Sequence, residues 1–146
     1  FDTKEEEEHN WKLVRKYQRM EQKEVRYETF LIDDAEMVVL AYGIGARIVR
    51  GAIKRLRQEG LRVGMIRPIT LWPFPAKIIK ETAKQVTDFF VFEMSAGQMV
   101  EDVRLALEGK GHIHFYGRPG GVIPTPIELF RIISRHYYQA HKRKKS

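Results

Sequence analysis

The chain has 146 residues, 43% apolar and 31% charged, which reads as one soluble domain able to bury about two thirds of its unfolded surface. It holds no cysteine, so disulfides, iron–sulfur ligation and thiol catalysis are excluded from it, and no apolar run approaches the roughly 20 residues that cross a bilayer. Of the 26 basic residues behind its +7 charge, Arg135, Lys142, Arg143, Lys144 and Lys145 crowd positions 135–146; the other 21 face 19 acids, too even a body for nucleic-acid binding.

Thr3 to about Val25 is predicted as a charged helix. Trp11, Val14 (or Leu13), Tyr17 and Met20 recur every three to four residues as one narrow apolar stripe, and Glu5 to Glu8 complement the dipole of its first turns. Residues 1–26 are expected to form a linker helix from a preceding domain, the chain being a fragment. From Tyr27 the period changes. YETFLI, 27–32, is a predicted strand, DDAE a turn, and MVVLAYG, 37–43, a strand buried on both faces. A helix follows from Ala46 to Glu59, then the strand LRVGMI, 61–66. Next come a helix from Pro75 or Ala76 to Val86, the strand DFFVFE, 88–93, a helix from Gly97 to Glu108, and the short strand HIHFY, 112–116. The last helix is predicted from Pro124 to about Tyr138, with residues 139–146 a disordered basic tail. Strands alternating with helices of 10–15 residues define an α/β domain over 27–138, its sheet mostly parallel and covered on both faces.

In AYGIGARIV, Gly43 and Gly45 stand between strand and helix, with Arg47 just beyond. A dinucleotide fingerprint needs a small residue where Ile48 stands, and Arg62 and Arg67 occupy the region where its acid belongs. The glycines therefore serve a tight turn, with a weak phosphate site as the alternative. Arg47, Arg50, Lys54 and Arg57 form a stripe read as the solvated side of an amphipathic helix, with an acidic partner or phosphates as the other reading.

RPITLWPFP places Leu71, Trp72 and Phe74 on a proline-rich loop, where they pack within the fold or against a neighbouring subunit. In EMSAGQ, Ser95 and Gln98 are spaced as a capping box. Glu93, a single carboxylate without a partner acid, a nearby histidine or a metal-ligand pattern, is not a catalytic site, and its role stays open. Arg67, Leu71, Trp72, Phe74, Glu93 and Gln98 stand as interface candidates. FYGRPGG sets Arg118 among three glycines, as an anion nest or as a turn. His112 and His114 alone are weak evidence for a metal, and the three serines, Ser95, Ser134 and Ser146, offer little for a triad. No catalytic residue and no metal ligand is assigned.

VVLAYGIGARI, GLRVGMIRPITLWPFP, VFEMSAGQMVEDVRLALEG and HFYGRPGGVIPTP, in that order and spacing, resemble the α-subunit of 2-oxoacid:ferredoxin oxidoreductases. EMSAGQMVEDVRLA and FYGR are most similar to the branched-chain (2-oxoisovalerate, 3-methyl-2-oxobutanoate) type. The resemblance covers roughly residues 11–137, and only the C-terminal part of that subunit. It implies a transketolase C-terminal-domain-like fold: three α/β/α layers around a mixed, mostly parallel five-stranded sheet, with YETFLI as an antiparallel first strand. It implies a cytoplasmic enzyme that uses thiamine diphosphate to convert a 2-oxoacid, coenzyme A and oxidised ferredoxin into acyl-CoA, carbon dioxide and reduced ferredoxin.

No cofactor is expected in this chain. Thiamine diphosphate, magnesium, coenzyme A and iron–sulfur clusters are implied to lie on other domains or subunits. The family's Gly-Asp-Gly motif with a later Asn has no counterpart, since Asn10 is the sole asparagine and no Gly-Asp pair occurs. The implied task is assembly and site shaping, packed on the cofactor-binding domains of the same subunit and on other subunits, with ferredoxin as partner of the whole enzyme and a homodimer in view. The alternatives are a domain of a 2-oxoglutarate or pyruvate enzyme, or a stand-alone module holding the phosphates of coenzyme A through Gly43, Gly45, Arg47 and Arg118.

Overall fold

The computed structural model describes residues 2–146. Helix α1 (Thr3–Lys23) begins at Asp2, whose carboxylate accepts a hydrogen bond from the amide of Lys4 at 3.0 Å. It buries none of its residues, and Trp11 and Tyr17 of its apolar stripe stay about half exposed. The stripe reaches the rest of the chain at Tyr17, whose ring meets Trp72 edge-on at 5.6 Å.

The sheet contains β1 (Tyr27–Phe30), β2 (Met37–Leu40), β3 (Val63–Pro68), β4 (Asp88–Glu93) and β5 (His112–Gly117), in the order β1-β3-β2-β4-β5. The pairs β3–β2, β2–β4 and β4–β5 are parallel, while β1 runs antiparallel to β3. The first strand is shorter than YETFLI because Leu31 takes a left-handed conformation, φ 53°, and turns the chain out of the ladder. Gly64 of β3 makes room for that turn: a Cβ there would lie 2.5 Å from the Leu31 carbonyl oxygen.

Every residue of β2 and β4 is buried, and alternate side chains supply two cores. Met37, Val39, Phe90 and Phe92 pack under α2 (Gly43–Gln58) and α5 (Pro126–Lys145). Val38, Leu40, Phe89 and Val91 face α4 (Met99–Leu107) and Ile79 of α3 (Ala76–Thr82). The chain thus covers both faces of its own sheet, in three layers. Full burial of a phenylalanine such as Phe89, Phe90 or Phe92 contributes about 1.5–3 kcal/mol each.

Besides the shortened first strand and α3, which ends at Thr82 rather than Val86, three sequence expectations change here. Helix α2 starts at Gly43 rather than Ala46, so both glycines lie inside its first turn. Arg57 is not part of a solvated stripe. Its guanidinium donates to the carbonyls of Val63 and Leu31 at 2.8 and 2.6 Å and to Asp34 at 2.8 Å, clipping the β1–β2 loop to β3.

Third, residues 139–146 are not a disordered tail: α5 continues to Lys145. Tertiary partners hold its last turns. Asp88, fully buried at the start of β4, accepts from Arg143 at 2.5 Å and pairs with Lys144 at 3.0 Å. Burial disfavours the ionised Asp88, but hydrogen bonds from His114, Lys144, Thr87 and Arg143 outweigh it and hold its carboxyl well below the usual range. One turn earlier, Glu36 binds the hydroxyl of Tyr137 and, at 3.0 Å, His141. Its bond to Arg62, with those from Tyr137 and His141, outweighs burial and lowers its carboxyl to about 2. Burial, with Glu36 alongside, lifts Tyr137 to about 12.

Candidate functional site

The carboxyl ends of the parallel strands open on one rim of the sheet, formed by the first turn of α2 and the loops 69–75, 94–98 and 118–125. In open α/β sheets this rim is where sites are built.

Glu93 closes β4 and is 1% exposed. One of its carboxylate oxygens accepts from the amides of Gln98 and Met99 at 3.0 and 2.8 Å, the other from Gln98 and Val100 at 3.2 and 3.0 Å. The Ser95 hydroxyl adds a bond at 3.2 Å and itself accepts from the Gly97 amide at 3.3 Å. The capping box expected from Ser95 and Gln98 is therefore not formed. Gln98 occupies the N-cap position without a side-chain cap bond, and the carboxylate five residues upstream replaces the box. Gly97, at φ 114°, lets the loop fold back far enough for this. A buried anion at a helix N-terminus is stabilised by the amides and the dipole together. Its charge reaches its neighbours: burial first, then Glu93, raise both the Tyr42 hydroxyl and the Asp102 carboxyl. With both oxygens engaged by the backbone, Glu93 is a cap, and being buried it offers nothing to a partner's surface.

Gly43 opens α2 at φ 57°. Gly45 is buried, and a Cβ there would sit 3.0 Å from Cε1 of Phe92, so this glycine lets the helix lie close on β4. Arg47 is exposed and lines a cleft with Arg50 and Arg67 that does not include Arg118. The latter pairs with Glu128 in the first turn of α5, and the Tyr116 hydroxyl meets the same carboxylate at 3.4 Å. The Thr125 hydroxyl caps that turn, accepting from the Glu128 amide at 3.1 Å. Arg118 thus anchors a turn rather than closing an anion nest, and it is not brought together with Arg47.

The loop 69–75 divides its apolar residues. Phe74 packs on the α3–α4 core, whereas Ile69, Leu71 and Trp72 are each about half exposed. Thr70 pins the loop, accepting from the Arg26 amide at 3.0 Å and donating to the Pro73 carbonyl at 2.9 Å. Arg67, at its base, donates to Glu28 at 3.1 Å. The same rim exposes Ile44, Val122 and Ile123, which sequence reading did not single out; the signal was three large aliphatic residues beside glycines, where a solvated turn needs none.

His114 pairs with Asp88 at 3.3 Å and lies 4.9 Å, ring to ring, from His136, whose imidazole burial keeps neutral to lower pH, with His114 and Arg135 adding repulsion. His112 is exposed. Among the described residues no group of three His, Cys, Asp or Glu side chains is arranged to hold a metal.

A three-layer domain, with one antiparallel edge strand and a rim of exposed aliphatic and aromatic side chains, belongs to the transketolase C-terminal-like class. Two solved structures share the fold. One is a 2-oxoglutarate:ferredoxin oxidoreductase from Magnetococcus marinus, solved with 2-oxoglutarate, coenzyme A and succinyl-CoA: TM-score 0.62 and 22% identity over 77% of this chain and 20% of that one. The other is a split-gene transketolase in an inactive β4 tetramer, TM-score 0.59 and 17% identity over 75% of this chain and 40% of that one.

The profile of the pyruvate:ferredoxin oxidoreductase core domain II family matches residues 35–129, and the chain belongs to that family. It is 49% identical to the ketoisovalerate oxidoreductase subunit VorB of Methanothermobacter thermautotrophicus, over 92% of this chain. It is 44% identical to VorB of Methanothermobacter marburgensis over the same share, and 38% identical, over 69%, to that organism's 2-oxoglutarate synthase subunit KorA. The chain spans 37% of the length of either VorB subunit and 27% of KorA. The resemblance read from the four motifs holds. Among the described residues, no helix is long and apolar enough to cross a membrane.

Proposed function

We propose that this chain is the core domain II of a branched-chain, 2-oxoisovalerate-type 2-oxoacid:ferredoxin oxidoreductase, and that its own task is assembly. The parent enzyme oxidatively decarboxylates a 2-oxoacid with coenzyme A, giving acyl-CoA, carbon dioxide and reduced ferredoxin, in the cytoplasm. Thiamine diphosphate, magnesium and iron–sulfur clusters sit on other domains or subunits, and coenzyme A binds there too. Higher identity to ketoisovalerate than to 2-oxoglutarate enzymes supports the substrate class.

The observation that carries the assembly reading is the rim itself. Ile44, Ile69, Leu71, Trp72, Val122 and Ile123 are exposed there, while the rim's buried carboxylate, Glu93, is committed to α4. Large apolar side chains on loops beside a complete core find their burial against another protein surface. The test is to assemble the full-length subunit carrying Leu71→Asp or Trp72→Ala with its partner subunits. The expected result is loss of the assembled species by size exclusion, together with 2-oxoisovalerate turnover, while the isolated domain keeps its stability to within about 0.5 kcal/mol. Assembly that tolerates both substitutions overturns the reading. So does turnover by the isolated chain supplied with 2-oxoisovalerate, thiamine diphosphate, coenzyme A and an artificial electron acceptor. A full enzyme preferring 2-oxoglutarate would move the assignment to that subtype.

A further inference from the structure

On the α2 side of the sheet, at the edge where β1 pairs with β3, lies a cleft of about 190 Å³ lined by Glu28, Ala46, Arg47, Arg50, Met65 and Arg67. The fold puts these residues together by simple rules. Met65 and Arg67 are two apart on β3 and so share the face toward α2, and Glu28 stands directly opposite Arg67 in the antiparallel register. Arg47 and Arg50 are neighbours on the surface of α2, three residues apart. Ala46, buried and small, leaves the opening beneath them. Three guanidinium groups and one carboxylate give the lining a formal charge of +2.

Like charges gathered so closely repel, and one carboxylate cannot balance three cations. Glu28 engages only Nη1 of Arg67, at 3.1 Å. Arg50 is held in place from below, its guanidinium carbon 4.3 Å from the centre of the Phe30 ring. The decisive atom is Nε of Arg67, which is buried and has no hydrogen-bond partner. With Nη1 assigned to Glu28, the guanidinium edge formed by Nε and Nη2 keeps two parallel N–H donors, the pair that grips two oxygens of one anion. A buried N–H of a cation is costly without an acceptor, so this edge marks where an acceptor belongs.

We infer that this cleft binds a compact phosphate-class dianion, gripped by the Nε–Nη2 edge of Arg67 and closed over by Arg47 and Arg50. Charge selects a dianion, because a single carboxylate would leave the lining at +1. Size selects a compact group: 190 Å³ lies below the roughly 300 Å³ at which pockets for drug-sized ligands begin. The group is either free inorganic phosphate or the terminal phosphate of a larger molecule whose remainder lies outside. This site adjoins the rim through Ala46 and Arg67 but is independent of the oxidoreductase reading.

The test uses the 146-residue chain, whose sheet is covered on both faces by its own helices. Inorganic phosphate and, separately, phenyl phosphate are titrated by calorimetry against chloride at matched ionic strength, while NMR follows the arginine Nε–H resonances. The expected result is saturable binding at one site, with the Arg67 Nε–H signal moving at the same midpoint. Arg67→Lys, which keeps the charge but removes the fork, should weaken binding about tenfold. Arg47→Gln should weaken it severalfold, and the distant Arg118→Gln should leave it unchanged. Tighter inorganic phosphate identifies the free anion as the occupant; tighter phenyl phosphate identifies an esterified one. A response equalled by chloride, a stationary Arg67 Nε–H signal, or undiminished binding by folded Arg67→Lys overturns the inference. The wild-type Arg67 signal decides the matter if that variant does not fold.

Discussion

Removing the Glu93 carboxylate should cost this domain a substantial share of its stability. Glu93 serves three amides, of which those of Met99 and Val100 are buried while that of Gln98 is part-buried. A hydrogen bond to a charged acceptor contributes about 1.5–3 kcal/mol, and an orphaned buried donor costs about 1–3 kcal/mol. Counting the two buried amides at the low end, because they share one carboxylate, gives about 3 kcal/mol for Glu93→Ala. In a domain of this size that is a fall of roughly 6–12 °C in Tm. Glu93→Gln keeps one carbonyl oxygen but turns an NH2 group toward amides, so its loss should be smaller, near 1–2 kcal/mol. Urea unfolding followed by far-UV circular dichroism, with an unchanged m-value, measures both. An Ala variant within about 0.5 kcal/mol of wild type, or a Gln variant worse than Ala, would refute the capping role.

Deleting residues 142–146 strips Arg143 and Lys144 from Asp88 and should lower stability by about 1–2 kcal/mol, the half-exposed cations being discounted for solvent screening; an unaffected urea midpoint would return these residues to the role of a loose tail. Stability should also depend on pH with a definite sign. His136, Asp88 and Glu36 all bind protons less readily folded than unfolded, so each contributes fully above its ordinary value of 6.5, 3.8 or 4.5 and loses that contribution as pH falls. The urea midpoint should decline gently below pH 6.5 and steeply between 4.5 and about 2, with Glu36→Gln flattening the steep part; a midpoint that rises on acidification contradicts it. Gly64→Ala forces the Leu31 carbonyl aside and should cost about 1–3 kcal/mol, read as a drop in Tm.

What could be read in the sequence follows from how local each cause is. MVVL and DFFVFE announced themselves because burial on both faces leaves no position for a polar side chain, save the two buried acids that begin and end β4. The direction of β1 was legible only through the family resemblance: nothing in YETF distinguishes parallel from antiparallel, and the turn that ends it depends on Leu31 in a conformation the residue type does not favour. The start of α4 was placed correctly to within two residues but for the wrong reason. Ser95 and Gln98 match the pattern of a cap, yet the Glu93 carboxylate, brought round by Gly97, reaches the amides first. The end of α5 was misjudged because its restraint is not local: Asp88 is 55 residues away from Arg143 in the chain. Arg57 was misjudged likewise, its acceptors on Leu31 and Val63 being tertiary neighbours. Of the candidate residues, Leu71, Trp72 and Phe74 stand out together as apolar residues on a proline-rich loop, and separating the packed Phe74 from the half-exposed Leu71 and Trp72 required the packing of the α3–α4 core.

Helix α5 has a mechanical consequence. Its 20 residues make a rod of about 30 Å, fixed at the rim end by Arg118–Glu128 and Thr125 and at the other by the Asp88 clamp. A body pressing on Val122 and Ile123 therefore bears on a strut whose far end is seated at the amino-terminal ends of the parallel strands. Loosening either mount would leave that end of the rod held only by its buried residues, Leu129 and Ile133 toward the rim or Tyr137 and Ala140 toward the clamp.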